Sequence, residues 1–407
     1  VAPLSGSYIT ADPLVAISSL LYFRGEWIPV LLPPAVFLLI SAVLGRVFCG
    51  WACPIGFLSD ISSRINGRIM RKPIKRPFEG LHIGVLAGLL LVMLISPAVL
   101  SLADPMVVFQ RSAYFALGIT AIPVVIVLMI LGSILVPRLW CRICPLGALL
   151  GAVSVFSPFR RRLGGQCTGC MKCRNACKIG AISTDNKWDA IACTRCLECE
   201  RVCPVKAISF PASLPSVDFS PSRRSVIAAG AVIGFFAVSR SVASTFTARA
   251  SPIRPPGSLV EAKFNAACIR CESCAKVCIS QVIRPAGLDM GLERLYTPIL
   301  DFDRAKCEQC WACGAACPTG AILSPPDNNM KIGTASIDDK KCLAWTKGKR
   351  CLICAEVCPA QAVMDADMLK PVISGDICVG CGACQYNCPV AGKAVTVTSA
   401  GERRRDE

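Results

Sequence analysis

The sequence predicts a membrane α-helical bundle with an internal pseudo-repeat, followed by small α+β modules folded around cysteine-bound metal. Three observations predict it: long uncharged apolar runs confined to the first 250 residues, a stretch that recurs at an offset of 92, and 28 cysteines at periodic spacing. At 407 residues the chain has room for two to four domains.

Composition narrows the chemistry. The chain is 53% hydrophobic and 17% charged, with a single histidine, His82. One histidine leaves no pair for a bis-histidine haem or a His-rich zinc site, and no cysteine precedes a histidine, so a covalent c-type haem is not expected. The formal charge of +17 is uneven: residues 1–250 hold 25 Lys/Arg and 10 Asp/Glu, net +15, and residues 251–407 hold 19 and 17, net +2. A basic excess in the half with the apolar runs is the pattern of a membrane protein with positive cytoplasmic loops. No basic stripe interleaved with aromatics is present, so nucleic acid is not expected as a partner.

Trp27 to Gly45, Leu81 to Leu102 and Ala113 to Val136 approach or exceed the roughly 20 apolar residues that a spanning helix needs. Ser225 to Ser239 is a shorter fourth run. Basic residues Arg64 to Arg76, Arg160 to Arg162 and Arg223-Arg224 place their segments in the cytoplasm. This expectation puts residues 161–224 inside and everything after Ala250 on the periplasmic side of a bacterial inner membrane, with lipid around the spans.

The repeat aligns Ala11-Asp12-Pro13-Leu14-Val15 with Ala103-Asp104-Pro105-Met106-Val107, then Arg46 with Arg138 and Cys49 with Cys141. Because the second copy is preceded by Leu81 to Leu102, an equivalent helix is expected before Val1.

Six cysteine tetrads follow. Cys167, Cys170, Cys173 and Cys177 are separated by two, two and three residues. The spacing recurs in Cys193, Cys196, Cys199 and Cys203; in Cys268, Cys271, Cys274 and Cys278; in Cys307, Cys310, Cys313 and Cys317; and in Cys378, Cys381, Cys384 and Cys388. In Cys342, Cys351, Cys354 and Cys358 the insertion LAWTKGKR separates the first two. Structural zinc wants two pairs a dozen or more residues apart, and cysteines spaced in threes are poorly placed to bridge one another, six times over. The run is that of bacterial ferredoxins, in which three close thiolates hold one 4Fe-4S cube and the fourth reaches the neighbouring cube.

Pairing consecutive tetrads by that exchange gives six ligand sets. Cys203 joins Cys167, Cys170 and Cys173, and Cys177 joins Cys193, Cys196 and Cys199. Cys317 joins Cys268, Cys271 and Cys274, and Cys278 joins Cys307, Cys310 and Cys313. Cys388 joins Cys342, Cys351 and Cys354, and Cys358 joins Cys378, Cys381 and Cys384. The remaining four, Cys49 and Cys53 of CGWACP and Cys141 and Cys144 of CRICP, stand at matching places in the repeat. They are expected to hold a seventh iron-sulfur cluster, two ligands from each half.

The resulting expectation is a membrane α-helical bundle with a pseudo-repeat plus α+β bacterial dicluster ferredoxin modules. The membrane domain spans residues 1–160, a cytoplasmic dicluster module 161–210, a linker and anchor 211–258, and a four-cluster periplasmic domain 259–400. No nucleotide-binding glycine fingerprint, nucleophile elbow or flavin attachment sequence is present, so no catalytic residue is expected.

The Asp-Pro segments, CGWACP, CRICPLGA and the first tetrad pair resemble NapH-type membrane quinol-dehydrogenase ferredoxins, whose relatives include NosR-type proteins. The later tetrads resemble NapG-type polyferredoxins, with SRRSVIAAGAVIGFFA in the place of a twin-arginine signal. The resemblance implies an electron-transfer subunit moving electrons between menaquinone and a periplasmic reductase or cytochrome subunit. It also leaves room for an accessory metal-centre reductase or maturation protein of the NosR-like type, or for a conduit fed by a cytoplasmic ferredoxin or similar redox protein.

Overall fold

In the computed structural model the described residues are 11–16, 27–69, 104–117, 124–212, 251–291, 294–324, 331–346, 350–366 and 370–405, with a few isolated positions between them. They divide into two compact units, one built mainly from residues 25–240 and the other mainly from 241–407.

The first unit opens with α1 (Trp27–Leu44), α2 (Val47–Trp51) and α3 (Pro54–Ile69). Its second half repeats the plan with α4 (Pro105–Leu117), α5 (Val124–Leu135), α6 (Leu139–Ile143) and α7 (Pro145–Val153). Among the described residues no helix is long and apolar enough to cross a membrane. This corrects the expected membrane bundle. The run from Trp27 yields 18 residues with Pro33 and Pro34 inside, and the chain turns at Gly45 in a left-handed conformation. At 1.5 Å per residue that helix measures about 27 Å, short of a hydrocarbon core of about 30 Å. Within the run from Ala113 to Val136, the described residues belong chiefly to α4 and to the 12-residue α5, about 18 Å long, and 118–123 lie outside the described residues. Most of Leu81 to Leu102 and of Ser225 to Ser239 lies outside the described residues, as does the expected helix before Val1.

The repeat appears as symmetric helix starts. Asp12 and Asp104 precede prolines, whose fixed φ and missing N–H suit a first helical turn. Each carboxylate caps its turn: Asp12 Oδ1 accepts from Leu14 N at 2.9 Å, and Asp104 Oδ1 accepts from Met106 N at 2.8 Å. Leu14 and Met106 then pack with Leu146, Leu150, Cys49 and Cys144 in one buried cluster. A second cluster joins Ile55 of α3, Val108 of α4 and Met129 of α5.

The same unit continues into the first tetrad pair. β1 (Arg162–Leu163) pairs antiparallel with β2 (Ile208–Ser209), enclosing α8 (Lys172–Ala176) and α9 (Glu198–Arg201).

The second unit contains two further tetrad pairs. Its first carries α10 (Glu261–Ala267), α11 (Ser273–Val277), β3 (Ile283–Pro285), β4 (Pro298–Leu300) and α12 (Ala312–Ala315), with β3 and β4 antiparallel. Its second carries β5 (Thr334–Ile337), α13 (Leu343–Thr346), α14 (Ile353–Glu356), β6 (Val363–Ala366), β7 (Lys370–Ile373), α15 (Ala383–Tyr386) and β8 (Val395–Thr398). Here β5 pairs with β8 and β6 with β7, both antiparallel, so the last strand of this pair lies beside its first. The apolar cores are small: Phe264, Val282, Ile299, Phe302 and Ile322 are the buried anchors around the first pair. Domains of this size lean on bound metal for stability.

Candidate metal centres

Each regular tetrad is wound by left-handed residues. The second residue after the first cysteine has positive φ in all five, at Gly169, Arg195, Arg270, Gln309 and Gly380. So does the residue after the second cysteine, at Met171, Leu197, Glu272, Trp311 and Gly382, and that residue starts the short helix carrying the third. Most of these positions are not glycine, so the conformation is held against its intrinsic cost, which points to a site rather than a random turn. Gly382 has a second reason to be glycine: a Cβ there would collide with the ring of Phe302. The inserted tetrad departs from the pattern, because Leu352, after Cys351, has φ −118°.

The fourth cysteine is handled by the backbone. Sγ of Cys177, Cys203, Cys317, Cys358 and Cys388 accepts from the N–H of Ala181, Ala207, Ile322, Ala362 and Ala394 respectively, at 3.3–3.4 Å. Sγ of Cys144 accepts in the same way from Gly147 at 3.3 Å. Such donors stabilise negative charge on sulfur and are a lever on cluster potential.

The fold gathers the cysteines across the tetrads. Cys268, Cys271, Cys274 and Cys317 line one cavity, and Cys378, Cys381, Cys384 and Cys358 line another. Cys307 and Cys313 stand within electrostatic reach of Cys310 and Cys278. Cys199 stands within reach of Cys193, Cys196 and Cys177. Cys173 packs in one apolar cluster with Cys203, while Asn186 spans Cys173 and Cys167, with Nδ2 at 3.9 Å from the Cys167 sulfur. Cys170 is exposed. Cys342 packs with Cys388, and Cys354 is within reach of Cys342 and Cys351.

The repeat motifs also converge. Cys53 is within reach of Cys49 and Cys141, and Cys144 of Cys49, Cys53 and Cys141. The two halves are not identical: Cys53 precedes α3 and is half-buried, whereas Cys144 is buried and caps α7.

This donor set fits an iron-sulfur core. Burial first, and neighbouring cysteines next, push the thiols of Cys199 and Cys384 up to about 12. Several thiols crowded into apolar cavities do not ionise together unless a cation arrives to take the charge. Among the described residues no three Cys, His, Asp or Glu side chains are arranged to hold a single metal ion. The Cys268, Cys271, Cys274 and Cys317 set and the Cys378, Cys381, Cys384 and Cys358 set surround cavities instead.

Two joints connect the cages. Within the second unit, Cys307 N donates to the carbonyl of Cys381 at 2.8 Å, tying one tetrad pair to the next. Within the first unit, Cys141 packs in a cluster with Ile179 and Ala181, against which Cys177, Ala192 and Cys193 also lie.

Several features around the sites are not announced by cysteine spacing. Glu261, on the helix leading to Cys268, receives Arg254 at 2.7 Å, Arg404 at 2.6 Å and Arg294 at 3.1 Å. Asp12 and Asp104 are fully buried, and the Oδ2 atom of each faces no donor. Burial, and for Asp12 also the charge of Asp104, hold this pair well above the usual carboxylate range. The signal for the aspartates was their recurrence in the repeat; Glu261 carried none.

A family model described as "4Fe-4S binding domain" matches residues 27–77 and 117–164, covering both halves of the repeat. A "4Fe-4S dicluster domain" matches 306–362, and a further "4Fe-4S binding domain" matches 187–209. The methylamine utilization ferredoxin-type protein MauM of Methylorubrum extorquens is 35% identical over 199 residues, 44% of this chain and 89% of the relative. The ferredoxin-type protein NapG of Escherichia coli is 32% identical over 173 residues, 37% of this chain and 73% of the relative. The putative electron transport protein YccM of Escherichia coli is 31% identical over 155 residues, 35% of this chain and 43% of that protein. No solved structure matches.

Proposed function

Since this chain belongs to the ferredoxin-type 4Fe-4S electron-transfer proteins that include MauM and NapG, we propose that it moves electrons between the menaquinone pool and a periplasmic redox partner. The observation that carries the electron-transfer part is the gathering of four cysteines around one cavity from two different tetrads, seen at Cys268, Cys271, Cys274 and Cys317 and again at Cys378, Cys381, Cys384 and Cys358.

In this reading all 28 cysteines are ligands, in the six crossed sets and the one repeat set described above. A 4Fe-4S cube supplies a one-electron store that changes charge with little movement of its ligands. The chain's own residues hold the cubes by thiolate, shield them in apolar cavities and aim backbone N–H groups at sulfur. The hydrogen bond from Cys307 N to the Cys381 carbonyl supports a route between the Cys307 and Cys378 sets within the second unit.

The quinone end and the periplasmic partner are supported by the likeness of the Asp-Pro segments, CGWACP and CRICPLGA to NapH-type proteins, and of SRRSVIAAGAVIGFFA to a twin-arginine signal. The fused NapH-like and NapG-like arrangement has the same support.

The test is anaerobic addition of a menaquinol analogue to the iron-loaded chain, followed by loss of visible cluster absorption. Reduction to the extent that the quinol potential allows is expected. Bleaching by dithionite but not by quinol would remove the quinol from the account and leave the ferredoxin assignment standing.

A further inference from the structure

The repeat carries a second matched pair besides its cysteines. Arg46 and Arg138 each stand three residues ahead of the first cysteine of their motif, and both are buried, at 1% and 3% exposure. A buried guanidinium is costly unless its donors are used, and both reach into the same segment, residues 190–196, which delivers Cys193 and Cys196.

Arg46 Nη1 donates to the carbonyls of Ile191 at 2.9 Å and Ala192 at 3.4 Å. Arg138 forms a two-pronged pair with Asp60, Nε to Oδ1 at 2.9 Å and Nη2 to Oδ2 at 2.6 Å, and its third nitrogen donates to Thr194 Oγ1 at 3.2 Å. Arg138 holds its place from a left-handed backbone, φ 52°, a conformation that costs energy for a residue with a Cβ.

The segment is pressed close on the repeat. Trp51 Nε1 donates to the Arg195 carbonyl at 3.1 Å. A Cβ on Gly50 would collide with the Thr194 carbonyl oxygen, and one on Gly151 would crowd the Ile191 carbonyl oxygen. The Arg138 charge acts on both Cys141 and Cys196, and the Arg46 charge also acts on Cys141.

We infer that Arg46 and Arg138 are positioning residues that clamp the Cys193–Cys196 loop against the Cys49, Cys53, Cys141 and Cys144 cage, and that Arg138 places one positive charge shared by the two centres. The inference rests on the proposed function, since it presumes clusters in both cages. A fixed cation beside a centre favours the state with the extra electron, so one cation between two centres raises both potentials and lessens the repulsion when both are reduced. Arginine suits this role because its fork is always charged and can bind a carboxylate and a hydroxyl at once.

The test uses the full iron-loaded chain and reads each cluster by redox titration with paramagnetic resonance. Arg138→Gln should lower the midpoint potentials of two signals together, those lost in Cys141→Ser and in Cys196→Ser, and weaken the magnetic interaction between them. The signal belonging to Cys167, Cys170 and Cys173 should hold still. Arg138→Lys should restore most of the potential shift by returning the charge, and Lys187→Ala, an exposed change on the same module, should do nothing. Where Arg138→Gln fails to retain iron, Asp60→Asn gives the opposite reading, raising both potentials by removing the anion that offsets the guanidinium. Unchanged potentials and interaction in the retained variants, or an equal shift in the Cys167 signal, would overturn the inference. Absence of one of the two signals from the wild-type chain would instead overturn the ligand assignment beneath it.

Discussion

Replacing Glu261 by glutamine tests whether the second unit is pinned by one carboxylate. Burial alone would raise its pKa; the hydrogen bonds and charges of Arg254 and Arg404 outweigh that and hold it at about 2, against an ordinary value of 4.5. A gap of about 2.5 units at about 1.4 kcal/mol each is roughly 3.5 kcal/mol. Glu261 is about one-quarter exposed, so solvent screening trims this to about 2 kcal/mol. The sign follows from the depressed value: the stabilisation is full above about pH 4.5 and fades as pH falls toward 2. Glutamine keeps the shape and removes the charge, leaving the nearly inaccessible Arg254 without its anion. Stability of the loaded protein is best followed at pH 7 as the rate of cluster bleaching in guanidinium, because such proteins unfold irreversibly. If the cluster of charges is broken before the barrier, about 2 kcal/mol accelerates bleaching about thirtyfold. A change below twofold would refute the reasoning and show that the three arginines are satisfied without Glu261.

Ligand exchange gives a second expectation: Cys278→Ser should remove the signal of the Cys307, Cys310 and Cys313 set, and Cys317→Ser that of the Cys268, Cys271 and Cys274 set, whereas loss confined to each substituted tetrad would show local ligation. For Asp12 and Asp104 the raised values reverse the sign found at Glu261: stability is full below about pH 4 and falls as pH rises through the pair's higher range. Asp104→Asn, which keeps a capping oxygen, should therefore melt later than the parent at pH 7 and close to it at pH 4.5, and the reverse order by calorimetry would contradict the raised values. Gly382→Ala must take a left-handed φ of 76° and displace the Phe302 ring, at a cost of about 2–4 kcal/mol; iron retention equal to the parent after gel filtration would contradict that crowding.

Cysteine spacing carried most of the site because a cluster imposes its geometry on a short local stretch. The left-handed residues after each cysteine follow from that stretch, which is why Met171 or Trp311 can stand where a propensity argument would ask for glycine. Hydropathy misleads in the first 160 residues, where an apolar run has the length of one span. In the first copy the left-handed turn at Gly45 ends α1, and no periodicity reports that. Long-range polar contacts were equally invisible: Arg46 and Arg138 were legible as a matched pair, but their target at residues 191–194 is set by tertiary packing. The inserted LAWTKGKR shifted Cys342 away from Cys351 without removing it from its partners.

In the proposed arrangement the two halves of the repeat share one cluster and the chain holds seven. It is tested most directly by resolving the cluster signals of the iron-loaded chain beside Cys49→Ser and Cys141→Ser. About 28 iron atoms per chain are expected, at four to each cage, with loss of the same single signal in both variants and the other six intact. Two different signals lost by the two substitutions, or none lost by either, would contradict it.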